Sequence, residues 1–509
     1  MAKGYPRHKL IGYIGAPLVF IALLLMPLPE GMTPEGRRLA AVAALMALWW
    51  ITEAIHISAT ALLPLALFPL LGIMSAKDAA APYADPNIFL FAGGFFIAMA
   101  LQKWDAHERI ALYIMRRAGT APRRLVLGFM ISTAFLSMWI SNTATAVMMA
   151  PIGMAVVGEL KGVLDDKERH RFTVAVMLGI AYAANIGGIA TLIGTPPNVI
   201  FAAQLRTLYP EAPAITFSQW FLFGLPFAAV FLPLAWLILV RVLYRLPEGQ
   251  AQAGRTAIDA KLARLGPMSA GERAVLSVAG LAALSWMTRG DLELGIVTVP
   301  GWQRLFPWPD YINDATVALF FASVLFILPV GRSPLTFALD WEWARRIPWG
   351  ILILFGGGLA LADGFKETGL VTWLGLRLDV LSGVPPIVMV LAVAFLMTFV
   401  TELTSNTATT TIMLPILAVT ASETLHVNPL LLMIPATLSA SCAFMLPVAT
   451  PPNAVIFASG ELTIPEMARA GLVLNLLGIL LVTSVVYLLV PKVMPLELGV
   501  FPPWAGLQP

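Results

Sequence analysis

One polar peptide occurs twice in this chain, as Ser141-Asn142-Thr143-Ala144-Thr145 and, 264 residues later, as Ser405-Asn406-Thr407-Ala408-Thr409. Each copy is followed by a second echo, Gly194-Thr195-Pro196-Pro197-Asn198 and Ala449-Thr450-Pro451-Pro452-Asn453. Both peptides break helices, yet each lies in a strongly apolar stretch. Irregular backbone at membrane depth is tolerated only where protein or a watery cavity surrounds it. Polar breaks in corresponding positions of two hydrophobic halves are how a secondary transporter builds a binding site in mid-membrane.

The halves match elsewhere too. Phe91-Ala92-Gly93-Gly94 pairs with Phe355-Gly356-Gly357-Gly358, and Met149-Ala150-Pro151-Ile152 pairs with Met413-Leu414-Pro415-Ile416. Of the 509 residues, 59% are hydrophobic and 12% charged, against roughly 25% charged in soluble domains. The expected fold class is therefore an all-α polytopic membrane protein. Two apolar segments, 122–158 and 383–420, exceed the ~20 residues of one crossing and carry a Ser-Asn-Thr motif near their centre. Each is read as a re-entrant helical hairpin, which leaves about eleven transmembrane helices.

Charge placement tests that count. With a cytoplasmic N-terminus and both hairpins returning to their own side, 23 of the 32 Lys and Arg fall on inside segments, as the positive-inside rule requires. An odd number of crossings then separates equivalent elements, so the halves are inverted repeats. The polar insertion 247–270 becomes a cytoplasmic linker, and the tail 492–509 is external. The expected location is the inner (cytoplasmic) membrane, in contact with lipid. Net charge is only +3, so nothing points to nucleic acid. The single cysteine, Cys442, excludes a disulfide framework and is read as a buried packing residue.

No Arg or Lys lies beside the motifs, so recognition falls to neutral donors. A helix that starts just after each motif presents unsatisfied N–H groups and a partial positive charge, and two such tips would grip the ends of a small dianion. A buried Arg would hold a carboxylate by bidentate bonds and slow its release. The dianion needs countercharge, and hydroxyls, the Asn carbonyl and carbonyls freed at a broken helix are oxygen ligands suited to Na⁺. Ser137 and Thr401 each lie four residues before the motif Ser, about one helical turn, which places a hydroxyl beneath each tip. The segments 172–204 and 429–458 are expected to unwind near the Pro-Pro step, with Gly187-Gly188 and Gly194 permitting close approach. Glu402 replaces Met138 of the first half; it either tunes the second cation site or makes a structural hydrogen bond. His107, His170 and His426 are placed in loops, without metal-ligand spacing. Trp49, Trp50, Trp302, Trp308, Trp341, Trp343 and Trp349 are assigned to interfacial belts.

At these motifs, and at Gly93-Gly94 through Gln102-Lys103-Trp104 to Arg109-Ile110-Ala111-Leu112, the chain resembles the divalent anion:sodium symporter family, in its sodium-coupled dicarboxylate branch. The resemblance implies a homodimer with a scaffold domain (1–121 and 271–382) and a transport domain (122–246 and 383–491) that moves as an elevator. It implies substrate contacts from Ser141, Asn142, Thr143, Ser405, Asn406 and Thr407, with Thr195, Thr450 and Pro451 lining the pocket. One Na⁺ site would use Ser137, Ser141, Asn142 and Gly194; the other would use Thr401, Thr404, Asn406 and Ala449. The expected activity is import of C4-dicarboxylates such as succinate, malate and fumarate, with Na⁺ as the co-transported ion and no organic cofactor. An obligate dicarboxylate exchanger and a citrate or sulfate carrier are the alternatives on the same fold. A membrane-embedded enzyme would need a nucleophile with its base, or a metal site, and the apolar segments carry no such cluster.

Overall fold

The computed structural model describes residues 6–160, 164–247, 252–293, 298–332, 334–370, 373, 384–494 and 500–506. The expected domain boundary at 382/383 lies outside them. The first half contains α1 (Arg7–Leu25), α2 (Pro34–Thr52), α3 (Ile57–Thr60), α4 (Leu63–Leu70), α5 (Ala76–Ala80), α6 (Pro86–Lys103) and α7 (Ala106–Ala118). It continues with α8 (Pro122–Ser137), α9 (Asn142–Glu159), α10 (Asp166–Ile189), α11 (Pro196–Leu208) and α12 (Phe217–Leu237). The polar insertion carries α13 (Gln252–Leu265). Then follow α14 (Ala270–Thr288), α15 (Asp314–Ile327), α16 (Trp341–Ala344), α17 (Trp349–Glu367), α18 (Pro386–Thr401) and α19 (Asn406–Val419). The described helices end with α20 (Leu430–Ala440), α21 (Pro451–Phe457), α22 (Ile464–Leu488) and α23 (Val490–Val493), and the strands form two short antiparallel pairs.

Helix starts follow local chemistry. Ser141, Asp165, Thr216, Ser269 and Thr463 each accept a backbone N–H from the first turn of the helix they precede, which satisfies a donor the helix itself cannot. Among the described residues, five helices are long and apolar enough to cross a membrane: Ala76–Lys103 (with its 3-10 lead-in), Asp166–Ile189, Phe217–Leu243, Trp349–Glu367 and Ile464–Val493. The other expected crossings fall on shorter or less apolar helices, and the segment expected to cross at 58–73 is divided between α3 and α4.

The two halves interlock by exchange. Helix α9 packs on α21 of the other half, and α11 packs on α19. Within each half the helix before the motif packs on the helix before the break, α8 on α10 and α18 on α20. Glycines permit the closest crossings. A Cβ on Gly93 of α6 would lie 2.6 Å from the Ala318 Cβ of α15, and one on Gly357 of α17 would lie 2.3 Å from the Ala61 carbonyl oxygen beside α3.

The breaks differ in one respect from expectation. Helix α10 stops at Ile189 and α20 at Ala440, so the backbone unwinds ahead of the prolines; Pro196-Pro197 and Pro451-Pro452 open the next helices. Proline has no N–H to lose at the first helical position, and its fixed φ suits a helix start. The unwound carbonyls are gathered by the asparagine that follows. Asn198 Nδ2 donates to the carbonyls of Gly188 (3.2 Å) and Thr191 (2.8 Å), and Asn453 Nδ2 donates to those of Ala443 (3.2 Å) and Leu446 (3.0 Å).

Two further readings change. Trp50 is fully buried and donates to the Ile57 carbonyl at 3.0 Å rather than belonging to a belt, because the chain turns back there from α2 into α3. His107 and His170 lie near the starts of α7 and α10, not in loops, and His170 meets Glu466 at 2.9 Å. The stretch 102–112 forms a joint. Lys103 pairs with Asp340, Trp104 donates to the Ala338 carbonyl, and Arg109 grips both carboxylate oxygens of buried Glu272 at 2.6 and 3.2 Å. Cys442 is buried, as expected.

Two substitutions test this packing by thermal unfolding of the purified protein. Asn453→Ala strips the Ala443 and Leu446 carbonyls of a buried donor, at a cost of about 1–3 kcal/mol, and is expected to lower the melting temperature by several degrees. Gly93→Val drives a side chain into Ala318, with a similar cost of about 1–3 kcal/mol from overpacking; wild-type melting of both variants would refute the packing account.

Candidate functional site

The site grows from the four-residue gap between α8 and α9. Ser137 is the last residue of α8, and Ser141 caps α9 by accepting the Ala144 N–H at 3.3 Å. Asn142, the first residue of α9, therefore points its side chain back towards Ser137. The Ser137 hydroxyl lies 2.6 Å from Asn142 Oδ1 and 2.7 Å from the carbonyl oxygen of Ala184 in α10. The same end of the Asn142 amide lies 3.2 Å from the Gly194 carbonyl and 3.3 Å from that of Ala184. With its nitrogen inward, Asn142 donates to these groups. With its oxygen inward, four oxygens converge from a hydroxyl, an amide and two carbonyls, with too few protons to join them all. Hard cations take such oxygen sets at roughly 2.3–2.6 Å, which spaces neighbouring ligands about 3.3–3.7 Å apart. Glycine makes the cluster possible: a Cβ on Gly188 would lie 2.6 Å from Asn142 Oδ1, and one on Gly194 would lie 2.4 Å from the Gly188 carbonyl oxygen.

The second half repeats the arrangement. Thr401 ends α18, and its hydroxyl lies 2.5 Å from Asn406 Oδ1 and 3.1 Å from the carbonyl of Ala440 in α20. One member of the expected second set turns its side chain elsewhere. The Thr404 hydroxyl donates to the Val400 carbonyl (2.8 Å) and meets Thr409 Oγ1 (2.5 Å), so its side chain is engaged away from Asn406. Ala449 is buried and occupies the Gly194 place in the second break, its N–H bound to the Leu446 carbonyl.

Around these clusters stand the expected anion-binding groups. Ser141, Asn142, Ser405, Asn406 and Thr407 are half-buried and Thr143 is exposed. Ser405 makes no side-chain capping bond to α19, which leaves its hydroxyl available. Thr195 and Thr450 are buried caps of α11 and α21, and Pro451 is exposed at the start of α21. Asn185, which neighbours Ala184, donates 3.2 Å bonds to the Ala443 carbonyl and to Thr450 Oγ1. It thus ties the first cluster to the second break.

Glu402 makes structural hydrogen bonds. Its buried carboxylate accepts the N–H groups of Phe444 (2.7 Å), Met445 (2.9 Å) and Leu446 (3.0 Å) and the Asn475 amide (2.7 Å). In the first half the same junction is closed with opposite polarity: the Thr191 hydroxyl donates to the Met138 carbonyl at 2.6 Å. The roles of Ala184, Ala440 and Asn185 were not foreseen. Backbone carbonyls leave no residue signature, although the asparagine in an apolar helix was a visible signal.

Known proteins agree with this architecture. The family model described as the sodium:sulfate symporter transmembrane region matches residues 7–493. The sodium-dependent dicarboxylate transporter SdcS of Staphylococcus saprophyticus is 42% identical over 500 residues, covering 97% of this chain and 94% of that protein. The protein of the same name from Staphylococcus aureus is 41% identical over 502 residues, covering 98% and 94%. Among solved structures, the Neisseria gonorrhoeae MtrF efflux pump aligns with a TM-score of 0.54 over 95% of each chain, and the Alcanivorax borkumensis YdaH transporter with 0.51 over 94% and 98%. Both are 13% identical, so the likeness is one of fold. The relatives are transporters, not enzymes, and the chain belongs to the sodium:sulfate symporter family, the divalent anion:sodium symporters.

Proposed function

We propose that this protein imports C4-dicarboxylates such as succinate, malate and fumarate together with Na⁺. The observation that carries the reading is the pair of oxygen clusters, Ser137–Asn142–Ala184 and Thr401–Asn406–Ala440, each placed beneath the N-terminus of a half-helix. Cations in the clusters supply the countercharge that a dianion needs, and the N–H groups of α9 and α19, with Ser141, Thr143, Ser405 and Thr407, hold its carboxylates. The substrate arrives where no Arg or Lys competes with release. Asn142 and Asn406 touch both layers: the side chain faces the cation cluster while the backbone opens the helix that faces the anion. Cation and anion binding are coupled through those two residues.

The relatives named as sodium-dependent dicarboxylate transporters support the dicarboxylate and the ion. In this reading 122–158 and 383–420 are re-entrant hairpins of a transport domain, α6, α14, α15 and α17 belong to the scaffold, and the protein works as a homodimeric elevator in the cytoplasmic membrane with its N-terminus inside. A second reading, transport of sulfate, is favoured by the family's description as sodium:sulfate symporters.

The test is uptake of radiolabelled succinate by proteoliposomes with an inward Na⁺ gradient. Net accumulation with Na⁺ and none with choline is expected; uptake that needs internal succinate but not Na⁺ would make the protein an exchanger, and uptake of sulfate alone would establish the second reading. Ser141→Ala and Ser405→Ala are each expected to reduce succinate uptake roughly ten-fold, the equivalent of one hydrogen bond of about 1–1.5 kcal/mol, with unchanged yield of folded protein.

A further inference from the structure

Away from the polar clusters, a cavity of about 290 Å³ lies between α6, α7 and α14 on one side and the α8–α9 turn and first break on the other. Gly94, Phe135, Trp139, Ile193, Gly280 and Trp286 are among its lining residues, and none of the lining side chains is charged. The Trp286 N–H is already committed to the Asp314 carbonyl at 2.9 Å, and Trp139 lies against Phe217 with ring centroids 6.2 Å apart. Water gains little in such a lining, since a buried water typically needs two to four polar partners. The cavity approaches the lower end of small-molecule pockets, roughly 300 Å³.

The surroundings indicate what fills it. Ile131 and Phe135 on α8 and Leu281 and Leu284 on α14 are exposed on either side of the cavity. In a multi-pass membrane protein, exposed apolar faces of this kind meet hydrocarbon, and Phe135 belongs both to that exposed face and to the cavity lining. A Cβ built on Gly280 meets nothing within 4 Å, which places open space at the α14 wall. At the opposite wall Ile193 is the residue next to Gly194, which lends its carbonyl to the first oxygen cluster, and Trp139 lies two residues before Ser141.

We propose that this cavity is a binding site for one acyl chain of a membrane phospholipid, inserted laterally between α8 and α14. The chain packs against Trp139 and Ile193 and so buttresses the turn and the break that hold the Ser137–Asn142 cluster. It also lies across the joint between the elements assigned above to the scaffold and those assigned to the moving domain. The proposal rests on the membrane-spanning reading but not on the identity of the transported anion.

The experiment uses the full chain in proteoliposomes that contain a phospholipid with a photoreactive diazirine in its acyl chain. After illumination, mass spectrometry locates the labels. Labels are expected within 276–286 and at Phe135 or Trp139, and also on exposed Leu480 and Leu488 of α22, which serve as general lipid contacts. Gly280→Phe fills the cavity and is expected to reduce labelling of the cavity residues at least five-fold while leaving α22 unchanged; Gly280→Leu is a milder second variant with the same direction. Cavity labelling that stays equal in wild type and both variants, or that is absent while α22 is labelled, overturns the proposal. Absence of label at α22 as well would instead overturn the membrane-spanning reading.

Discussion

Everything in this fold depends on what happens to backbone groups where a helix stops inside an apolar core. An interrupted helix leaves carbonyls on one side of the gap and N–H groups on the other, and a buried group without a partner costs about 1–3 kcal/mol. This chain answers with side chains at the gaps and on the helix ends that flank them. Asn198 and Asn453 collect part of the carbonyl set, Glu402 collects three N–H groups, and the Ser137 and Thr401 hydroxyls reach the Ala184 and Ala440 carbonyls. What remains is a small surplus of oxygens around Asn142 and Asn406 and a small surplus of N–H groups at the starts of α9 and α19. The first surplus suits a cation and the second an anion.

The symmetry between halves is close in geometry and loose in chemistry. The pairs Ser137/Thr401, Asn142/Asn406, Ala184/Ala440 and Asn198/Asn453 make the same contacts. The junction between turn and break does not: Thr191 donates to Met138 in one half, and Glu402 accepts from the break in the other. Exchange packing of α9 on α21 and α11 on α19 then makes each half's broken helix a wall for the other half's motif. Under the proposed function, two chemically distinct clusters in equivalent frames give two cations different affinities without different scaffolding.

Much of this was legible in the residues. The duplicated motif located both turns, although α9 and α19 begin at Asn142 and Asn406, inside the motif and not after it, because Ser favours the position before a helix start. Gly188 and Gly194 announced a close approach, and the missing Cβ proved to be occupied by Asn142 and by Gly188 itself. Unwinding was expected near the Pro-Pro step and lies just ahead of it, because proline both breaks a helix from within and begins one. The Thr404 hydroxyl returns to the Val400 carbonyl from just past the end of α18, a local bond that spacing alone does not reveal. The Ala184 and Ala440 carbonyls were invisible, since any residue supplies a carbonyl. Trp50 was lost to a belt because burial depends on where α3 folds back, a tertiary fact.

The central claim is that the two oxygen clusters are separate cation sites, and direct binding of radioactive Na⁺ to the purified protein tests it. The account predicts that Ser137→Ala and Thr401→Ala each lower the number of Na⁺ bound per chain by one, and that the double variant loses both. Equal Na⁺ binding by the wild type and all three variants would contradict it.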